Sequence, residues 1–256
     1  MYDITKLVSK KQFEKLLSLL PTPRQKKRGR KKCKKETLLN GILQVLVNGV
    51  SWNNIANCGC SDTSCYRYFN ELQRRGKLKL ICEGLSGSKT DIKEGAIDTT
   101  TATSFRFRRM TGWDGKHRKI GTKISLFTDK KGLPADVVFG KGNIHDSQFL
   151  PTHLKKTAGR RKRIINLDKG YCNLNLRREM RQKGTKINMP MRKGDYTRKR
   201  GPRFSFEALK YKVRFEVEKT FSWLKSFRRI RIRREYHPAM FKAFVYLGLI
   251  IVLIRS

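Results

Sequence analysis

Three acidic side chains in a chain with a formal net charge of +40 are the first candidates for chemistry. Asp98 follows the apolar pair Ala96 and Ile97 and precedes three threonines; Asp168 follows "IINL" and precedes "KGY". Each stands where an apolar strand pattern gives way to polar sequence, which places a carboxylate at a sheet end beside a potential cleft. Taken singly, either also fits a turn or cap aspartate. The third lies in "YKVRFEVEKTFSWLKSFRRIRIRREY", Tyr211 to Tyr236, where nine Lys or Arg accompany only three acids. At about 100° per helical residue with Arg214 at zero, Tyr211 falls near 60°, Glu218 near 40° and Lys225 near 20°. These four form one polar stripe beside an apolar stripe of Val213, Val217, Phe221 and Leu224. Glu216 falls roughly opposite, near 200°, where it is expected to meet solvent. Glu218 is therefore the expected catalytic acid.

Asp98, Asp168 and Glu218 together would bind Mg²⁺ or Mn²⁺, because hard cations take oxygen ligands. Two such ions about 3.5–4 Å apart suit in-line displacement at phosphorus, with water or a DNA 3′-hydroxyl attacking. Arg214 and Lys225 are placed to hold a scissile or flanking phosphate, with Tyr211 orienting a ligand or that phosphate. A solvated basic face is the plainer reading of the two cations.

The elements that must position these residues change character near residue 90. Residues 1–88 read as helical. "KKQFEKLLSLLP" has helical periodicity up to Pro21, and "ETLLNGILQVLVNGV" is an apolar helix ending at Gly49. Between them, nine of the twelve residues 24–35 are basic, including Arg30, Lys31 and Lys32. Such an arm is a flexible linker, a phosphate-tracking segment, or both. "SWNNIANCGCSDTSCYRYFNELQRRG" reads as helix, short turn, helix, with Ser61 or Asp62 as a cap. A helix-turn-helix unit would carry Asp62, Thr63, Ser64 and Arg67 to base edges; a simple three-helix bundle is the alternative. From residue 92 the pattern gives three strands, helix, strand, helix, strand and the long helix from Tyr211. That order predicts an α/β domain over 89–256, a mixed sheet flanked by helices.

Lys and Arg number 60 against 20 Asp and Glu, so a polyanion is needed to relieve self-repulsion, and nucleic acid is the obvious one. Arg228 and Arg229 join the expected DNA-binding residues. The opening stretch has no long apolar run, and "FKAFVYLGLIIVLI" is short for a bilayer span, so a buried terminal helix, no membrane and no secretion are expected. Cys58, Cys60 and Cys65 lack paired C-x-x-C spacing and a nearby His, which argues against zinc. His145 and Asp146 could lie near a metal, although Asp146 as a helix N-cap is the simpler role. Trp52, Trp113 and Trp223 could stack on an unpaired base, although packing is the plainer role.

Tyr211-x2-Arg214-x3-Glu218-x6-Lys225 matches the Y-x2-R-x3-E-x6-K signature of bacterial insertion-sequence DDE transposases. "VEKTFSWLKSFRRIRIRREY", "AIDTTT", "NLDKGYCN" and "GNIHDSQFL" resemble segments of the insertion-sequence-five group, and the N-terminal helices are similar to that group's helical domain. The residue before the second aspartate departs from the group, with leucine replacing a small residue. The resemblance implies an RNase H-like sheet and a metal-binding triad of Asp98, Asp168 and Glu218. It further implies a DNA transposase acting on terminal inverted repeats and target DNA, as a homodimer or higher oligomer, in a bacterial cytoplasm or nucleoid. A non-catalytic DNA-binding derivative and a nuclease of the same fold are the competing functions.

Overall fold

The structure is a computed structural model describing residues 7–23, 32–56, 58–106, 108–156, 163–171, 174–190 and 205–255, with backbone only at 174–176. Arg30 and Lys31 of the basic arm lie outside the described residues.

The helices and strands follow local sequence logic. Helix α1 (Lys10–Leu19) opens on a capping box in which Ser9 and Gln12 satisfy each other's backbone N–H groups. Helix α2 (Lys35–Asn48) is apolar and ends at Gly49, as expected. The next segment departs from expectation. It forms only one 3₁₀ turn at Trp52–Asn54 before helix α3 (Asp62–Arg74). Trp52 packs against Phe69 and Phe244, and these tertiary contacts hold the short turn in place of a helix. Ser61 is the cap of α3, its hydroxyl accepting from the Ser64 N–H. Helix α4 (Lys77–Lys89) follows.

The strands are β1 (Glu94–Thr103), β2 (Gly112–Asp114), β3 (Lys119–Asp129), β4 (Pro134–Lys141), β5 (Arg163–Asn166) and β6 (Thr185–Asn188). Helices α5 (Leu150–Lys156) and α6 (Leu174–Gln182) fall among them. One mixed sheet runs β2-β3-β1-β5-β6, with β4 also on β3. β1, β5 and β6 pair in parallel, whereas the β2–β3 and β3–β4 pairs are antiparallel. β2 was not anticipated, since three residues carry no readable alternation.

The single helix expected over Tyr211–Tyr236 is a correction. It divides into α7 (Ala208–Tyr211), α8 (Arg214–Ser226) and α9 (Arg228–Arg231). After α9 the chain becomes extended, and Ile232 bridges Thr103 in parallel. Pairing with the segment at Thr103 holds it extended: the Arg233 N–H donates to the Thr103 carbonyl at 2.8 Å. Helix α10 (Pro238–Arg255) closes the described chain; it is long and apolar enough to cross a membrane, yet most of it is buried.

Two compact units result. Unit 1 gathers Met1–Leu85, Ala102–Arg109 and Ser222–Ser256; unit 2 gathers Ser86–Thr101 and Met110–Phe221. In unit 1 the Phe69 ring stacks on Phe244 at 4.4 Å and Trp52 packs against Phe69, Tyr66 and Phe244. The fully buried Arg233 donates to the carbonyls of Arg109, Glu235 and Tyr236. In unit 2 the core contains Ile97, Phe127, Leu150, Leu154, Ile165, Leu167 and Ile187.

Candidate active site

Parallel pairing of β1 and β5 places the first two carboxylates. The register sets Ala96 opposite Asn166; Asp98 follows two residues on within β1, and Asp168 two residues on, just past the end of β5. Local hydrogen bonds hold both. Asp98 Oδ1 accepts from the Thr99 N–H at 2.8 Å, and Asp168 Oδ1 from the Lys169 N–H at 2.8 Å.

A buried asparagine ladder braces this end of the sheet. Asn188 Nδ2 donates to Asn166 Oδ1 at 2.7 Å, and Asn166 Nδ2 donates to the Gly95 carbonyl at 3.1 Å. Asn188 also bonds both backbone groups of Glu207, the residue before α7. Glu207 is further held by Lys186 and Lys210; their bonds carry its carboxyl down to about 2. Sequence reading missed these asparagines. The only available signal was an asparagine directly after isoleucine at the end of each short strand.

Helix α8 brings the third acid, and the β3–β4 loop fixes it. Asp129 Oδ1 accepts from the Lys131 and Leu133 N–H groups, shaping a tight loop around Gly132. The Thr220 hydroxyl donates to the Gly132 carbonyl at 2.6 Å. Val217 and Phe221 are buried, as their stripe predicts. The exposure argument for the two glutamates needs correction: the Glu216 side chain is 30% exposed and Glu218 48%. Glu216 packs beside Gly132 and pairs with Lys219 at 2.6 Å, which covers it.

What distinguishes Glu218 is its direction. The Arg214 guanidinium lies 3.5 Å from Asp98, 3.7 Å from Asp168 and 3.5 Å from Glu218. Three acids from β1, the end of β5 and α8 thus converge on one cation. Direct charge-assisted bonds are nearer 2.7–2.9 Å, so this cation is shared loosely among its partners. Its Nε is buried without a hydrogen-bond partner, and its η nitrogen lies 3.4 Å from the Tyr211 hydroxyl. Burial raises the Asp98 carboxyl; the Thr99 N–H and Arg214 oppose that, while Glu218 adds to it. Burial disfavours the Arg214 charge, but Asp98, Tyr211 and Asp168 more than offset it. The donor set is all oxygen, and its negative charge calls for a cation, so it fits a divalent metal ion.

Other expected residues separate into surface and interior. Thr63 and Arg67 are exposed on the first turns of α3, with Ser64 half-buried; Lys32, Lys225 and Arg228 are also exposed. Asp62 accepts from Thr63 and therefore supports the helix start. Arg229 is corrected: it is 6% exposed, with Nε 2.5 Å from Glu235 and a bond to the Val50 carbonyl. Its guanidinium is buried and paired inside unit 1 instead of open to solvent. The expected cap at Asp146 is also corrected. His145 caps that turn, and Asp146 takes the Lys123 ammonium at 2.7 Å. Trp113 and Trp223 are exposed, contrary to the packing role; Arg255 stacks over Trp223 at 3.4 Å.

Residues 89–254 match the family model described as "Transposase DDE domain". The chain belongs to the transposase DDE domain family. Residues 8–82 of this DDE-family chain match a second description, "Putative transposase of IS4/5 family". The chain is 30% identical over 137 residues to the "Putative transposase for insertion sequence element IS402" of Burkholderia cepacia. That match covers 50% of this chain and spans 60% of the curated relative's length. A cryo-EM structure titled as a piggyBac transposase synaptic complex with hairpin DNA shares the fold. Its TM-score is 0.58 at 12% identity, covering 98% of this chain and 71% of the other. The DDE-family sheet of unit 2 is accordingly RNase H-like.

Proposed function

We propose that this DDE-family chain is a DNA transposase that binds the terminal inverted repeats of its element and carries out metal-dependent strand cleavage and transfer. The convergence of Asp98, Asp168 and Glu218 on Arg214 carries the reading. The three carboxylates would hold two Mg²⁺ or Mn²⁺ ions. When bound, such ions supply Lewis-acid activation of a water or 3′-hydroxyl and stabilise the leaving oxygen.

The chain's own residues do the rest. The β1–β5 register and the asparagine ladder fix two carboxylates, and the Gly132 loop fixes the helix bearing the third. Arg214 balances the triad's charge; when bound cations take over that role, its guanidinium can receive a phosphate oxygen. Lys225, Arg228, Lys32 and the remaining arm supply further phosphate contacts, while Thr63, Ser64 and Arg67 read base edges. Assembly as a homodimer or larger oligomer on DNA, away from any membrane, completes the proposal.

The test uses the full chain with duplexes carrying the repeats that flank its gene. Strand nicking should require added Mg²⁺ or Mn²⁺, and Asp168→Asn should lower it by about a thousandfold while repeat binding persists. Retained cleavage in Asp168→Asn overturns the site assignment. Binding without any metal-dependent cleavage leaves a non-catalytic DNA-binding protein instead.

A further inference from the structure

Three thiols that the proposed reaction does not use meet in unit 1. Cys58 Sγ lies 3.7 Å from Cys60 Sγ and 4.0 Å from Cys65 Sγ, and the last two lie 3.3 Å apart. Among the described residues this is the group of His, Cys, Asp or Glu side chains whose donor atoms all fall within 4.8 Å of one another. The backbone arranges it. Gly59, at φ 76°, turns the chain between Cys58 and Cys60, and Ser61 caps the helix whose first turns carry Cys65. A side chain at Gly59 would be strained in that left-handed conformation. Opposite, α2 leaves room with Gly41: a Cβ there would lie 2.5 Å from Cys65 Sγ and 3.4 Å from Cys58 Sγ. Two elements are thus shaped around a sulfur triangle.

We propose that Cys58, Cys60 and Cys65 bind one zinc ion as thiolates. A tetrahedral ion with Zn–S bonds near 2.3 Å places its sulfurs about 3.8 Å apart. The three observed separations bracket that value, so little movement is needed. Each thiol gives its proton to solvent on binding, three per ion, and the resulting thiolates donate electron pairs with no change of oxidation state. Cys60 is half-exposed, which opens a route for the ion, and water takes the fourth position. The sequence objections were the missing C-x-x-C pair and the missing nearby His, whose place water takes. That spacing matters only if both pairs come from knuckles; here one turn and one helix supply the donors. The ion would tie the turn to the start of α3. The inference does not depend on the carboxylate site.

The experiment titrates the reduced, full-length protein with Co²⁺ under anaerobic conditions, then displaces the cobalt with Zn²⁺. The expected result is one equivalent bound, with thiolate-to-cobalt charge-transfer absorption and the visible bands of a tetrahedral site, both erased by zinc. Cys60→Ser, the least buried change, should weaken binding by about a hundredfold. Cys82→Ala, elsewhere in unit 1, should bind as the parent does. Circular dichroism confirms that each variant retains its helices, and zinc should protect three thiols from alkylation in the parent. Absence of the charge-transfer bands, or an unchanged affinity in Cys60→Ser, overturns the proposal. So does a metal-free protein in which two of these thiols are found as a reductant-sensitive disulfide.

Discussion

Arg214 and Glu218 are the residues on which the site's charge balance turns. Glu218→Gln keeps size and removes charge, so metal-dependent cleavage should fall by about a thousandfold with helicity unchanged. Glu216→Gln loses only its surface bond to Lys219 and should stay within about threefold of the parent in a nicking assay. Equal losses in both would remove the distinction between them. Asp114 permits an acid test of stability. Burial favours its neutral form, but the Thr101 hydroxyl at 2.5 Å and His117 at 2.9 Å outweigh it and carry the carboxyl down to about 2. A lowered value means this contribution is complete above about pH 4 and is lost as pH falls toward 2. Thr101→Val should therefore destabilise the protein at pH 6 by ~1–2 kcal/mol, with the difference shrinking toward pH 2 in thermal melts. At this scale the three acids were readable, because each sat at a pattern boundary or on a helical stripe. Arg229 was not: its internal partner, Glu235, is six residues away across a bend that composition does not reveal.

At the scale of elements, the β3–β4 loop is the part most exposed to a single change. Gly132 has φ 82°, and a Cβ there would lie 3.1 Å from the Glu216 carbonyl. Gly132→Ala should destabilise by ~1–2 kcal/mol through backbone strain and push α8 away from the loop. Cleavage should suffer more than stability alone explains, measured as kcat against denaturant midpoint. If cleavage tracks stability, the loop does not position Glu218. Most elements could be predicted from periodicity and apolar runs, and α8 buries Val217, Phe221 and Leu224 of the stripe its pattern indicates. The division of α7, α8 and α9 could not, because nothing local distinguishes a helix of basic residues from one interrupted by a bridge to Thr103. The 3₁₀ turn at Trp52–Asn54 was misread for a related reason: its tryptophan packs on Phe69 and Phe244, a tertiary contact invisible to a window of sequence.

For the whole molecule, the charge of +40 predicts strong ionic linkage. Raising salt from about 50 to 200 mM should lower DNA affinity by roughly a thousandfold or more, and substituting Arg30, Lys31 and Lys32 together should flatten that slope for all sequences alike. A loss confined to the terminal repeat would mean that the arm reads bases. The sequence changes character near residue 90, but the placing of α10 in unit 1 was not legible. Residues 1–88 read as a helical stretch of their own, whereas unit 1 takes its last helix from Pro238–Arg255. A 1–88 fragment lacks Phe244 and its neighbours, so it should show helical signal without fixed near-ultraviolet aromatic signal. The same discontinuity sets an order of events on the ribosome. Synthesis runs at roughly 5–20 residues per second, so α1 and α3 emerge many seconds before the helix that packs on them. The nascent chain must carry that bare apolar surface, next to its most basic stretch, until all of unit 2 has been made.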